Sequence, residues 1–186
     1  SLLPYGNDVL KASGAWPKVE SAGFIPKLGA EFFVGNDTKQ LRLWFRRNLA
    51  PAHEMTFQVE RAKFDQVLLD HAIECGCEVR QECAQTFELH DTGVKTNDVT
   101  ARWLVDASGR ETFLAKALQL PRINLPVPKR VAVYAHYRGV YRNCGDAAGH
   151  ISIVRLKDGW FWFIPLDAEK TSVGMVRSLG NGRDVA

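Results

Sequence analysis

The sequence predicts an α+β fold, a mixed βα part that leads into an antiparallel sheet. Three observations predict it. Hydrophobic periodicity alternates between the helical and the strand pattern along the first part of the chain, one long amphipathic helix stands out at Arg61 to Glu74, and from Arg130 onward strand follows strand. At 186 residues the chain has room for about one domain of ~150 residues plus at most a small second lobe, enough to bury a real core.

Two short helices come first. Asn7 to Lys11 has Asn7 or Asp8 as its N-cap, and Trp16 to Glu20 carries Pro17 in its first turn; Gly14 and Gly23 punctuate them. Glu31 to Gly35, Leu41 to Phe45 and Thr56 to Glu60 read as strands, with Gly35-Asn36-Asp37 turning between the first two. In Arg61 to Glu74 the apolar positions Phe64, Val67, Leu68 and Ala72 make one helical stripe, and Gly76 stops it. Glu78 to Gln81, Thr86 to His90 and Val99 to Asp106 follow as strands, with a turn at Asp91-Thr92-Gly93. Ser108-Gly109-Arg110 breaks the pattern before a short helix near Thr112 to Leu118. Val131 to Tyr141, Ile151 to Leu156, Trp160 to Pro165 and Thr171 to Val176 are then joined by polar connections such as Asn143-Cys144-Gly145-Asp146 and Lys157-Asp158-Gly159, the pattern of an antiparallel meander.

Composition excludes several function classes. Hydrophobic residues at 46% and charged residues at 24% are ordinary for a globular protein and rule out disordered, collagen-like and coiled-coil chains. Lys and Arg number 24 against 21 Asp and Glu, net +3, with the basic residues interleaved with acids, so no nucleic-acid footprint is expected. The chain opens at Ser1 on an apolar, Pro-containing stretch with no charged region and no long apolar run, the pattern of neither a signal peptide nor a transmembrane span. Cys75, Cys77, Cys83 and Cys144 form no CxxC pair, and no metal site is expected; Cys75-Gly-Cys77 reads as small buried thiols, in a reducing cytoplasm. The five histidines are dispersed.

Four stretches carry candidate chemistry. Trp103-Leu104-Val105 runs into Asp106-Ala107-Ser108-Gly109-Arg110, which places a carboxylate and backbone N–H groups at a strand's carboxyl end, where α/β sheets bind ligands; a plain strand-to-helix turn has the same pattern. Arg61 opens the long helix directly after a strand, where a guanidinium and the helix dipole suit a phosphate, or a surface ion pair. In Gly159 to Pro165, alternation sends Trp160, Trp162 and Ile164 to one face and Phe161 and Phe163 to the other, as in a buried central strand or the wall of an apolar cavity. Lys27 stands between Pro26 and Leu28 at a strand mouth, ordinarily the place of a solvated charge.

Together these stretches resemble the flavin-dependent halogenases and their relatives among the FAD-dependent monooxygenases of p-hydroxybenzoate-hydroxylase-like fold. Trp160-Phe161-Trp162-Phe163-Ile164-Pro165 matches the WxWxIP motif at every fixed position; Val59-Glu60-Arg61-Ala62-Lys63-Phe64-Asp65 resembles the family's VxRxxFD segment, and Val105 to Arg110 its second flavin-contacting turn. Ser1-Leu2-Leu3-Pro4 resembles the stretch after the first flavin-binding helix.

The resemblance implies a two-component enzyme. Reduced FAD from a separate flavin reductase reacts with O2 to a C4a-hydroperoxide, chloride or bromide attacks it, and hypohalous acid passes to a lysine beside an electron-rich aromatic substrate, free or carrier-tethered. Lys27 aligns with that lysine; Trp160 and Trp162, with Ile164 and Pro165, become the barrier between substrate and flavin; Arg61, Asp106 and Gly109 become FAD contacts. No GxGxxG occurs among the 15 glycines, so the resemblance makes the chain an internal piece of a larger flavoprotein that holds FAD weakly or not at all by itself. Residues 1–125 would be a partial FAD-binding-associated region, with helix 61–75 and turn 106–110, and 126–186 the substrate-side sheet; the N-terminal GxGxxG unit and the C-terminal part would be missing. Two other readings stay open: a flavin monooxygenase or reductase of the same fold acting on an apolar substrate, and a non-catalytic module that binds a ligand or partner.

Overall fold

The computed structural model describes residues 1–34, 40–123 and 126–179; the expected turn at Gly35-Asn36-Asp37 lies outside them. The chain forms two compact units, one combining Ser1–Cys77 with Pro128–Ala186, the other Glu78–Val127. The expected boundary at 125/126 therefore does not coincide with this division, because strands from both ends of the chain share one sheet.

In the first unit, α1 (Gly6–Ala12) and α2 (Trp16–Ser21) precede β1 (Ile25–Lys27), β2 (Gly29–Val34), β3 (Gln40–Trp44) and the single turn α3 (Phe45–Asn48); β4 (Thr56–Gln58) and α4 (Arg61–Glu74) follow. β1 pairs antiparallel with β4, Lys27 opposite Thr56. Leu10, Ala15, Val19, Phe24, Phe57, Val59 and Phe64 close one apolar core between these helices and strands. Helix α4 spans the predicted residues, with Phe64 buried and Val67 and Leu68 packed on the core. The Gly76 N–H donates to the Ile73 carbonyl and the Cys77 N–H to that of Ala72, which closes the helix in the expected glycine turn.

Asn7 is not an N-cap. Tyr5 occupies that position without a side-chain cap, and Asn7 is drawn into the interior because its amide satisfies two buried groups: Nδ2 donates to the Met55 carbonyl at 2.7 Å and Oδ1 accepts from the Thr56 hydroxyl at 2.8 Å. Cys75 and Cys77 are exposed rather than buried, because the turn that ends α4 carries them beyond its core-facing stripe.

After the second unit come β8 (Arg130–Tyr137), β9 (Ile151–Arg155), β10 (Gly159–Pro165) and β11 (Thr171–Ser178). The six-stranded sheet runs β3-β2-β9-β10-β11-β8. The expected four-strand meander holds only for β9, β10 and β11. The first strand crosses over and pairs with β11, a Greek-key arrangement, because the connection 138–150 is a long loop holding a 3₁₀ turn at Gly145–Ala147 instead of a tight hairpin. β2 joins parallel to β9, Phe32 beside Ile153. β10 is thus an interior strand whose side chains are half-buried on both faces.

The second unit holds the three-stranded antiparallel sheet β5 (Phe87–His90), β6 (Gly93–Thr96) and β7 (Val99–Ala101), then α5 (Phe113–Ala117). Glu78 to Gln81 is not a strand; Arg80 instead pairs with Glu78 and Asp98 at the surface. The strand expected over Val99 to Asp106 ends at Ala101, and Trp103 and Val105 are exposed with no pairing strand beside them among the described residues.

Candidate functional site

Lys27 closes β1 with its side chain turned inward. The residue is 3% exposed, and Nζ donates to the Ser1 hydroxyl at 2.9 Å and the Leu2 carbonyl at 3.0 Å. Both acceptors are neutral, and the Phe45 ring lies 5.5 Å from the amine. Burial pushes the Lys27 pKa down to about 8. A lysine at a strand mouth is ordinarily solvated; this one is buried and gives up its proton more readily than an ordinary lysine.

Ser1 also lines a cavity of about 400 Å³ whose walls include Arg61, Trp162, Ile164, Tyr134 and His136. Arg61 stands at the first turn of α4, whose N-cap Glu60 makes no side-chain cap, so uncapped helix amides and a guanidinium lie together there. The guanidinium is held by Asp65 one turn on, at 3.0 and 3.2 Å. Trp162 and Ile164 reach the cavity from β10, and the Trp162 indole N–H donates to the Ser172 hydroxyl at 3.2 Å.

The remaining predicted residues distribute as follows. Trp160 shares the Trp162 face but lies outside the cavity wall, its ring stacked by Arg130 at 5.3 Å. Pro165 departs from the expected barrier group: alternation turns it to the opposite face, where it is buried and lines a second cavity with Phe163. Asp106 and Gly109 belong to the second unit. There Asp106 accepts the backbone N–H of Ser108 and of Leu114, both at 2.9 Å, and hydrogen bonds from Ser108 foremost hold its carboxyl below the usual range. Gly109 has φ +62°, the left-handed region that favours glycine, so this turn's shape depends on it. A turn built in this way holds its carboxylate and backbone groups in fixed positions. In the first unit, Arg61 with the α4 amides suits an anionic group.

Sequence reasoning missed Glu31 and His150. Glu31, 1% exposed, accepts from Arg42 Nε at 2.6 Å and Asn143 Nδ2 at 2.8 Å, while His150 lies buried beside it, Nδ1 4.0 Å from Glu31 Oε1. They underlie the second cavity, about 240 Å³, walled by Phe33, Val154, Phe163 and Pro165. The available signal was a lone carboxylate at an inward position of Gly29-Ala30-Glu31-Phe32-Phe33, since carboxylates are rarely buried without a partner. Desolvation lowers the His150 pKa, against the opposing pull of Glu31. Among the described residues no group of three or more His, Cys, Asp or Glu converges as a metal site would, and no helix is long and apolar enough to cross a membrane.

A family model described as tryptophan halogenase matches residues 5–181. The chain belongs to the tryptophan halogenase family. Curated relatives include a 1H-pyrrole-2-carbonyl-(peptidyl-carrier protein) brominase of Pseudoalteromonas luteoviolacea, 32% identical over 95% of this chain and 44% of its own. The corresponding chlorinase of Pseudomonas fluorescens is 30% identical over 97% of this chain and 47% of its own. The chain thus spans less than half the length of these curated relatives. Among solved structures, a flavoprotein/dehydrogenase from Cytophaga hutchinsonii superposes with a TM-score of 0.84 at 28% identity, covering 96% of this chain and 46% of that one. CmlS, a flavin-dependent halogenase, superposes with a TM-score of 0.83 at 26% identity, covering 96% and 34%. The mixed helix-and-sheet architecture is that of the FAD-dependent halogenases.

Proposed function

We propose that this chain supplies the lysine-bearing wall and the barrier strand of an FADH2-dependent halogenase acting on an electron-rich aromatic substrate. The observation that carries the reading is Lys27, an amine buried among neutral partners, its pKa lowered to about 8, next to Ser1 at the wall of the cavity that Arg61, Trp162 and Ile164 share. FAD, reduced by a separate flavin reductase, would supply the activation of O2. Arg61, in the first unit, would contribute to holding the cofactor; the Asp106–Gly109 turn of the second unit resembles a flavin-contacting turn in its own right.

Over one turnover, reduced flavin, O2, a halide ion, a proton and an aromatic C–H become oxidised flavin, the aryl halide and two waters, with hypohalous acid as the mobile oxidant. This chain's own part is to keep that oxidant from water and direct it. Lys27, in its neutral form, takes the halogen from hypohalous acid as the O–X bond breaks and an amine proton leaves with the hydroxide as water, or else donates a hydrogen bond to the intact oxidant. Trp162 and Ile164, with Trp160 beside them, keep the aromatic substrate away from the flavin so that halogenation replaces direct hydroxylation. The two pyrrolyl-carrier relatives favour a substrate tethered to a carrier protein, and the four free cysteines suit a reducing cytoplasm.

The test is the full-length protein with reduced FAD, O2, bromide, and either free indole, phenol and pyrrole or a pyrrolyl-loaded carrier protein. Halogenated product is expected, and Lys27→Ala should abolish it while flavin reoxidation continues; retained halogenation refutes the role. The flavoprotein/dehydrogenase neighbour favours one other reading, a flavin oxidoreductase without halogenation. In the same assay that protein would give only hydroxylated or unchanged substrate.

A further inference from the structure

The Trp162 indole does not stand up from the sheet as strand side chains ordinarily do. Its cross-strand partner on β11 is Gly174, and next in the same row, on β8, is Tyr134. A Cβ at position 174 would lie 2.6 Å from both Cε2 and Cη2 of Trp162 and closer still to Cζ2. The six-membered ring of the indole therefore fills the space a side chain at 174 would take. It lies across β11 toward Tyr134, ring centroids 6.2 Å apart. A second restraint acts on the neighbouring atom of the same ring edge, where Nε1 donates to the hydroxyl of buried Ser172, the β11 residue opposite Ile164.

The geometry points to Gly174 and Ser172 as positioning residues that seat Trp162, so that the lie of the indole across β11 sets the open cross-section of the cavity over it. Steric room and the hydrogen bond act independently. Gly174 permits the flat orientation, and Ser172 selects the one flat orientation in which Nε1 is paired. Tyr134, Ser172 and Trp162 all line the same cavity, so an indole driven off β11 has that space to enter and narrows it. The substrate-barrier part of this inference rests on the reading of Trp162 given above; the seat itself does not.

The two parts are tested separately on the full-length protein. With 15N-labelled tryptophan, the Trp162 indole N–H resonance is assigned by its loss in Trp162→Phe. In Ser172→Ala it is expected to move upfield and exchange faster with water, in Ser172→Thr, which keeps the hydroxyl, to stay near the wild-type position, and in Gly174→Ala to move through displacement from Tyr134. An unmoved resonance in Gly174→Ala, or Ser172→Thr behaving like Ser172→Ala, overturns the seat. Halogenated product per flavin oxidised should fall by roughly ten-fold in Gly174→Ala with flavin reoxidation little changed, since misplacement of a cavity wall acts on the guided step. A moved resonance with wild-type product yield overturns the link to the passage. If Gly174→Ala does not fold, the Ser172 pair decides both points. If the wild-type protein halogenates nothing, the functional reading fails, while the resonance measurements still judge the seat.

Discussion

Two regions of the same unit bury their apolar side chains in opposite ways. Between the first two helices, β1, β4 and α4, residues such as Val19, Phe57 and Val59 are sealed on all sides. In the six-stranded sheet, by contrast, Phe161, Trp162 and Phe163 are half-buried, and all of β8 is exposed, including Val133 and Tyr134. The difference separates a closed core from an open sheet. The closed cluster fixes the ends of β1 and α4, from which Lys27 and Arg61 project, and the open sheet provides cavity walls on both of its faces.

The contrast predicts unequal costs for equal truncations. Phe57→Ala in the closed cluster should lose about 3–5 kcal/mol of stability, while Phe161→Ala on the half-open strand should lose about 1–2 kcal/mol, read by urea denaturation. Equal losses would erase the distinction.

The next effect depends on pH. Lys27 has a folded-state pKa of about 8 against an ordinary 10.5, so well below pH 8 the folded protein bears a buried charge. As pH rises from 8 to 10.5 the unfolded chain holds the proton more tightly than the folded one, and stability should increase by on the order of 3 kcal/mol. Lys27→Met should flatten that rise. His150, its pKa lowered from 6.5, acts in the same sense lower down: stability should decline as pH falls below 6.5, and His150→Phe should blunt the decline.

Glu31→Gln tests the far face of the sheet. It keeps the side-chain shape but removes the charge that Arg42 and Asn143 address, with an expected loss of about 1–3 kcal/mol by the same denaturation assay. The smallest stability change belongs to Arg61→Ala. Its ion pair with Asp65 is solvent-exposed and the change should stay within about 0.5 kcal/mol, whereas the full-length protein's affinity for FAD should fall by about ten-fold in a flavin titration.

Local physics made much of this legible in the sequence. Helix α4 was readable because its stripe and its terminating glycine act within a few residues of each other, and β10 because alternation is local too. The inward turn of Lys27 had no local signal: it depends on Ser1 and Leu2, more than twenty positions away. Asn7 looked like a cap because caps and buried amides use the same residue type, and only Met55 and Thr56 decide between them. Glu31 and His150 meet because β2 lies beside β9, and the seat of Trp162 exists because Gly174 falls opposite it, pairings that periodicity does not encode.

The parallel β2–β9 pair also bears on how the molecule assembles. Glu31 and Ser152, neighbours across that pair, are 121 positions apart in the chain, with the whole of the second unit between them. During synthesis β2 emerges long before its partner and must wait with one edge unpaired, while the helical cluster and the intervening unit, whose contacts are nearer in sequence, are free to form first. Closure of the sheet around β9 is therefore expected to be the slow folding event, and a chain released before residue 155 would present β2 as an aggregation-prone edge.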